Sequence, residues 1–306
     1  MDESTKTPSH YLFKSCTAGS IYPGIEISTR YVLDSLELNF INDPRQSSCT
    51  GSGVNLGVVP METNMALNAR NLSLAGETDS DVVCICPLSY TNLKHCQKLI
   101  SKDNKLENNY EKIMDEIGLK YDIKSDVNHI SDLFLEYKDD IAGLTQEFSS
   151  NIRVATHHGC QYSKFFFKDV SSGTFEHPTV LDEILKGVGF EVVDYDEQFL
   201  CCGGGLHRYM ADKEYSKKTF RKKFQSLAEV MPDIIVTQCP GCTFNMDYLQ
   251  ENVLEELKME CSIPVLNIAE LLALLMGVEP ENIGLDMHAV DLEPFIKKLE
   301  LGRDDK

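Results

Sequence analysis

Five cysteines in the second half of this 306-residue chain have the types and spacing of a metal–sulfur site. They are Cys160, the adjacent pair Cys201-Cys202 followed by Gly203-Gly204-Gly205, and Cys239-Pro240-Gly241-Cys242. Thiolate sulfur is a soft donor that suits iron–sulfur clusters and zinc. A Cys-x-x-Cys turn sets two sulfurs on one metal unit, and Pro240-Gly241 keeps that turn tight. Adjacent cysteines on an extended strand point to opposite faces, so Cys201 and Cys202 serve one site only from a bend. Gly203 and Gly204 supply the backbone freedom for that bend, and with Gly241 they let a bulky group approach the main chain. Five thiols exceed the four of an ordinary cubane or a structural zinc site. The surplus implies an unusual cluster or one redox-active spare thiol. Zinc on four of the five is the competing reading. It fits less well, because zinc sites usually combine two close Cys-x-x-Cys pairs and only one is present. Inert buried cysteines fit least.

The pattern occurs a second time, damaged. Cys16 is followed by Ser48-Cys49-Thr50-Gly51 and by Cys86-Pro87-Leu88-Ser89, and thirty-six residues separate Cys49 from Cys86 just as thirty-six separate Cys202 from Cys239. Ser48 and Ser89 stand where the intact copy has Cys201 and Cys242. A serine hydroxyl holds its proton far more tightly than a thiol and is a poor iron ligand at neutral pH. Three outcomes are open for Cys16, Cys49 and Cys86: no metal, a cluster of another kind, or recruitment of Cys84 or Cys96. On a strand Cys84 and Cys86 share one face, which would permit recruitment.

The elements that must position these thiols repeat as well. Each half opens with a short extended run, Tyr11-Leu12-Phe13 or Ile152-Arg153-Val154-Ala155, ending near its first cysteine. A helix follows, then a second strand around Phe40-Ile41 or Val192-Val193. A glycine-bearing loop carries the cysteine pair, and a helix leaves it, Glu62 to Ala75 or Lys213 to Glu229. A third, apolar strand, Asp81 to Ile85 or Asp233 to Thr237, delivers the last cysteines. Alternating strands and helices predict an α/β fold: two tandem repeated halves, each a small parallel sheet flanked by helices. Ligand-bearing loops then lie at the carboxyl ends of the strands. The boundaries are set at 1–126 for the first half with a charged connector, and 127–306 for the second half with a helical tail. Pro264 to Val278 reads as an amphipathic helix that packs on the fold, with docking to a partner as the alternative.

Bulk composition narrows the function. With 42% apolar and 25% charged residues the chain supports a packed core. A net charge of −19 argues against nucleic acid or anionic membranes as partners. No apolar run is long enough to span a bilayer, and the acidic start Met1-Asp2-Glu3 does not read as a secretory signal, so a cytoplasmic location is expected. Eleven cysteines in such a chain point to metal ligands or redox thiols rather than disulfides. His157 and His158 flank Cys160 as potential sulfide or proton donors, though a structural role is the ordinary reading for each. His207 and Arg208 follow the glycine run and suit an anionic group or a solvated loop equally. The run Lys217-Lys218 and Arg221-Lys222-Lys223 reads first as a solvated helix face. No catalytic residue is assigned.

The five-cysteine pattern is that of the CCG, or cysteine-rich, domain. Over nearly its whole length the chain resembles the B subunit of the heterodisulfide reductases of methanogenic archaea. The resemblance is carried by Ser15-Cys16-Thr17-Ala18, Tyr22-Pro23-Gly24-Ile25-Glu26 and Ala69-Arg70-Asn71-Leu72. It continues through His158-Gly159-Cys160, the two cysteine motifs above, Pro264-Val265-Leu266 and the stretch Gly284 to Val290. It implies a noncubane [4Fe-4S] cluster on Cys160, Cys201, Cys202, Cys239 and Cys242, with a second iron–sulfur cluster in the first half put in question by Ser48 and Ser89. It also implies a ferredoxin-like iron–sulfur subunit as electron donor, a flavin subunit behind it, and a small thiol or disulfide substrate. Two functions follow. The chain is an oxidoreductase subunit of an anaerobic complex, or it is an electron-transfer or activation module that cleaves no disulfide itself.

Overall fold

The computed structural model describes residues 10–146, 148, 151–164, 170–257 and 262–304, with the side chains of 206, 207 and 300–304 excepted. The eleventh cysteine, Cys261, lies outside the described residues, as does the side chain of His207. The first half runs β1 (His10–Phe13), α1 (Cys16–Ser20), α2 (Pro23–Ser35), β2 (Phe40–Ile41), α3 (Met61–Gly76), β3 (Asp81–Cys84), α4 (Pro87–Ile100), α5 (Asn104–Glu116), β4 (Val127–His129), α6 (Ile130–Glu136) and α7 (Lys138–Leu144). The second runs β5 (Arg153–His157), α8 (Cys160–Ser163), α9 (Val180–Gly187), β6 (Glu191–Val192), α10 (Gly205–Ala211), α11 (Lys213–Val230), β7 (Ile234–Thr237), α12 (Pro240–Tyr248), α13 (Gln250–Leu257), β8 (Val265–Asn267), α14 (Ile268–Leu275) and α15 (Glu293–Asp304).

The α/β expectation holds: two four-stranded parallel sheets form, in the orders β2-β1-β3-β4 and β6-β5-β7-β8. Each has one strand more than the sequence patterns indicate. β4 pairs with β3 in register Val83↔Asn128, and β8 pairs with β7 in register Val236↔Leu266. A boundary at 126 therefore cuts β4 from the sheet it completes. The stretch from Pro264 is a strand first; its helix begins only at Ile268, where Asn267 caps it and Glu270 closes a capping box. Every residue of α14 is buried, so it is a core helix.

Burial alternates along the strands, and this joins the halves. Leu12, Val83 and Ile85 of the first half share a core with Val154, Ile234, Val236 and Leu266 of the second. Their neighbours Tyr11, Phe13, Val82 and Cys84 face a core private to the first half. Ala155, Ile235 and Val265 face a second-half core to which the first half adds Cys86. Both faces of each sheet are thus apolar, the usual condition of parallel strands.

The halves pack reciprocally. α1, which begins at Cys16, lies against α12 of the other half, and α8, which begins at Cys160, lies against α4; α2 packs on α14 and α9 on α6. Hydrogen bonds also cross the junction. Tyr22 Oη donates to Asp247 Oδ2 at 2.6 Å, and Tyr162 Oη donates to Asp132 Oδ1. Thr91 Oγ1 donates to the Gln161 carbonyl at 2.6 Å. The arrangement is that of a two-fold dimer written into one chain.

Candidate metal centre

The intact-copy thiols lie on the segments that follow β5, β6 and β7. Cys160 opens α8 after β5, Cys239 is the N-cap of α12 after β7, and the Cys201-Cys202 loop leads into α10. Together they line one wall of a cavity of about 350 Å³ between the halves, and Cys16, Cys49, Cys86 and Ser89 line the facing wall. The predicted five-thiol set is brought together. Cys202 and Cys242 make an S–H···S contact of 3.2 Å. Hydrogen bonds from Cys160 and Cys202 hold the Cys201 sulfur toward thiolate, and those from Cys242 and Cys86 do the same for Cys239. The donors Cys160 and Cys202 are pushed up by the bond to Cys201, and burial adds to this. Cys86 is pushed up first by its bond to Cys239. Cys86 and Cys239 occupy corresponding places in the two halves, so the sulfurs meet where the pseudo-two-fold axis passes.

The first-half wall is poorer in sulfur, for visible reasons. Ser89 Oγ donates to Cys49 Sγ at 3.2 Å, reproducing with a hydroxyl the Cys202–Cys242 contact. Ser48 is exposed and does not line the cavity. Burial pushes the Cys49 thiol up. Neither recruitment candidate reaches the cavity. Cys84 ends β3 in the first-half core, while Cys86 has already turned to cap α4, so the two do not share a face. Cys96 donates to the Met65 carbonyl at 3.4 Å within that core.

The glycines divide into two uses. Gly204 (φ +99°) and Gly241 line the cavity, and Gly205 lies so close to Gly241 that a Cβ there would sit 3.3 Å from its carbonyl oxygen. Gly203 does not line the cavity. At φ +112° it lies under α11 and α12, where a Cβ would come within 2.7 Å of Ser216 O and 2.9 Å of Asn245 Nδ2. The corresponding first-half residue is Thr50, held at φ +66°, a left-handed conformation costly for a β-branched side chain. The damaged loop has kept the bend although Ser48 stands where the intact loop has a cysteine.

The two histidines separate. His158 Nε2 accepts from Leu181 N at 3.0 Å and ties β5 to α9, a structural role. His157 is buried, its ring reaches only the Gln198 backbone as a hydrogen-bond partner, and a ring nitrogen, Cys202 Sγ and Cys242 Sγ all lie within 4.8 Å of one another. A buried imidazole short of partners is costly unless something else satisfies it. Arg208 lines the cavity, with its guanidinium 4.2 Å from the Tyr215 ring centre and Nη2 3.5 Å from Asp212 Oδ2. The basic run does not form one solvated face: Lys223 is fully buried. Its position is legible in the sequence, since Ser216, Phe220, Phe224 and Leu227 mark the inner face of α11 and Lys223 falls among them. The donor set fits an iron–sulfur group: five convergent sulfurs, a buried imidazole beside Cys202 and Cys242, and glycine backbone lining the same cavity.

These features define a class, the proteins that pack two cysteine-rich α/β halves around a shared thiol-lined cavity. The chain belongs to the cysteine-rich CCG domain family, whose profile matches residues 11–94 and 154–247, and within it to the family of heterodisulfide reductase B subunits, which are iron–sulfur redox subunits. It is 31% identical over 293 residues to the B subunit of the ferredoxin:CoB-CoM heterodisulfide reductase of Methanosarcina mazei, covering 94% of this chain and 96% of that one. The protein of the same name from Methanosarcina acetivorans is 30% identical over 298 residues, covering 94% of this chain and 95% of that one. A hypothetical protein from Helicobacter pylori has the same fold, with a TM-score of 0.71 over 93% of this chain and 53% of that one, at 14% identity. Among the described residues no helix is long and apolar enough to cross a membrane.

Proposed function

We propose that this chain is a cytoplasmic electron-carrying subunit of an anaerobic redox complex, with one noncubane [4Fe-4S] cluster in its second half. Cys160, Cys201, Cys202, Cys239 and Cys242 would hold it, with Gly204 and Gly241 giving it room. The observation that carries the reading is the unequal cavity, with five sulfurs on one wall and three sulfurs with Ser89 opposite. Such a cluster supplies one-electron transfer and iron sites for sulfur. The chain's own contributions are positional. It buries Cys202, Cys239 and Cys242, gathers all five sulfurs at the junction where α1 meets α12 and α8 meets α4, and keeps the Cys86 thiol protonated beside Cys239. The electron donor is a ferredoxin-like iron–sulfur subunit fed by a flavin subunit, and the cavity takes a small thiol or disulfide.

A second reading has its own observation. Cleaving a disulfide between two metal sites needs both walls, and Ser89 occupies the place of a ligand on one. On that ground the chain is an electron-transfer or activation module that passes electrons without turning over a disulfide. Iron, sulfide and EPR analysis of the anaerobically purified protein tests the first statement: about four irons per chain are expected, and none would overturn it. Thiol release from the coenzyme M–coenzyme B heterodisulfide, with a low-potential donor, separates the two readings. Rapid saturable release would exclude the module.

A further inference from the structure

Lys223 is a buried ammonium without a carboxylate. It lies on α11 at 0% exposure. Its three N–H groups have three acceptors: the Glu197 carbonyl at 2.6 Å, the Gln198 carbonyl at 3.0 Å and Tyr195 Oη at 3.3 Å. Among the described residues no carboxylate oxygen lies within 4.0 Å of Nζ, and the Glu197 carboxylate is engaged at the surface by Lys222. Burial lowers the lysine pKa to about 8, and the groups that most favour its charge are the sulfurs of Cys202, Cys242 and Cys201, ahead of the Glu197 carboxylate.

The first half shows what a purely structural cation looks like at this place. Arg70 follows Cys49 by the same number of residues as Lys223 follows Cys202, and its Nη1 donates to the Arg45 carbonyl at 3.0 Å, the counterpart of the Gln198 carbonyl. Arg70 is only half-buried, and it lies near Asp43, whose carboxylate is held by Arg45. Tethering the loop therefore does not need a fully buried cation. Removing an ammonium from water costs several kcal/mol unless an opposite charge repays it. In the second half Lys223 is tied to the loop that leads to Cys201 and Cys202, and the sulfurs around it carry negative charge once they ligate iron.

Resting on the cluster assignment above, we propose that Lys223 is the counter-cation of the second-half iron–sulfur centre and sets its reduction potential. A fixed positive charge stabilises the state carrying the extra electron, so it raises the potential. It acts through the field, not as a ligand, and is a positioning residue.

The test is an EPR-monitored redox titration of the anaerobically purified full-length protein as wild type, Lys223→Gln, Lys223→Met and Lys223→Arg, each with its iron content measured first. Gln keeps an N–H donor for the loop carbonyls but removes the charge; Arg keeps both. Loss of the charge is expected to shift the reduced-to-oxidised ratio about tenfold toward oxidised at a fixed potential. That corresponds to a midpoint lower by about 59 mV for a one-electron couple. Lys223→Arg should stay near wild type. If Lys223→Gln or Lys223→Met binds iron like wild type and titrates at the wild-type potential, the counter-cation role is wrong while the cluster assignment stands. If the neutral variants lose iron and Lys223→Arg retains both iron and potential, a charge requirement is supported. If Lys223→Arg shifts as far as Lys223→Gln, charge is not the determinant and the proposal fails. Wild-type protein without iron would instead remove the cluster assignment on which it rests.

Discussion

At the scale of single residues, chemistry is legible wherever the side chain type is rare and its spacing strict. The five thiols and the two serines can be read from order alone, and Ser89 sits against Cys49 as its alignment with Cys242 requires. Cys202 touches Cys242 and hydrogen-bonds Cys201, so it is central to the array. Cys202→Ser is therefore expected to lower the iron content of anaerobic protein at least severalfold and to abolish or change its EPR signal. Full iron with an unchanged signal would show that Cys202 is no ligand. Lys223 and His157 are harder to read, because a lysine in a basic run looks like solvent-facing charge until its helical face is counted. The glycines are recognisable as permissive, but not for what they permit. Gly203 serves the approach of α11 rather than the cavity, so Gly203→Ala is expected to destabilise the fold by about 1–3 kcal/mol, measured by denaturant unfolding of apoprotein.

Among the elements, long helices and the apolar strands can be read from periodicity, since two-faced burial needs uninterrupted apolar residues. β4 and β8 cannot. Each is three residues long, and Val127-Asn128-His129 carries no alternation that distinguishes it from a turn. It is a strand because β3 offers an unpaired edge. Its last residue then caps α6: His129 Nδ1 lies 2.7 Å from Ser131 Oγ, and the Asp132 carboxylate returns to His129 N at 3.2 Å. Burial lowers the His129 pKa to about 4, against about 6.5 for an exposed histidine. The unfolded chain thus binds this proton more readily than the folded one. The corresponding stability is complete above about pH 6.5 and is lost as pH falls toward about 4, by up to about 1.4 kcal/mol per pH unit. Urea unfolding across that window should show a shallower pH slope for His129→Asn, which preserves an N-cap acceptor. An unchanged slope would assign the acid sensitivity to other groups.

For the whole molecule, the duplication is plain from the repeated spacing, but the mode of association is not. Nothing in one sequence states that the first cysteine helix of each half will close on the last cysteine helix of the other. That depends on which strand faces are apolar on both sides of a sheet, and on Tyr22 finding Asp247. Because Thr50 preserves the bent loop, the first half should still accept a metal once its sulfurs are restored. Ser48→Cys with Ser89→Cys is expected to raise bound iron above the wild-type content. No rise would mean that the exposed position of residue 48 has drifted out of reach of the cavity.

The shared core also has a consequence for biosynthesis. The face of the first sheet that carries Leu12, Val83 and Ile85 completes its burial only with Val154, Ile234, Val236 and Leu266. A ribosome that has released the first half alone has therefore released a sheet with apolar surface still uncovered. That surface must be shielded, by a chaperone or by local collapse, until the second half arrives. The thiol cavity, being walled by both halves, closes only then. A fragment ending at Leu144 is expected to aggregate when produced alone and to become soluble when residues 151–306 are co-expressed beside it, a result that sedimentation of the two preparations would check.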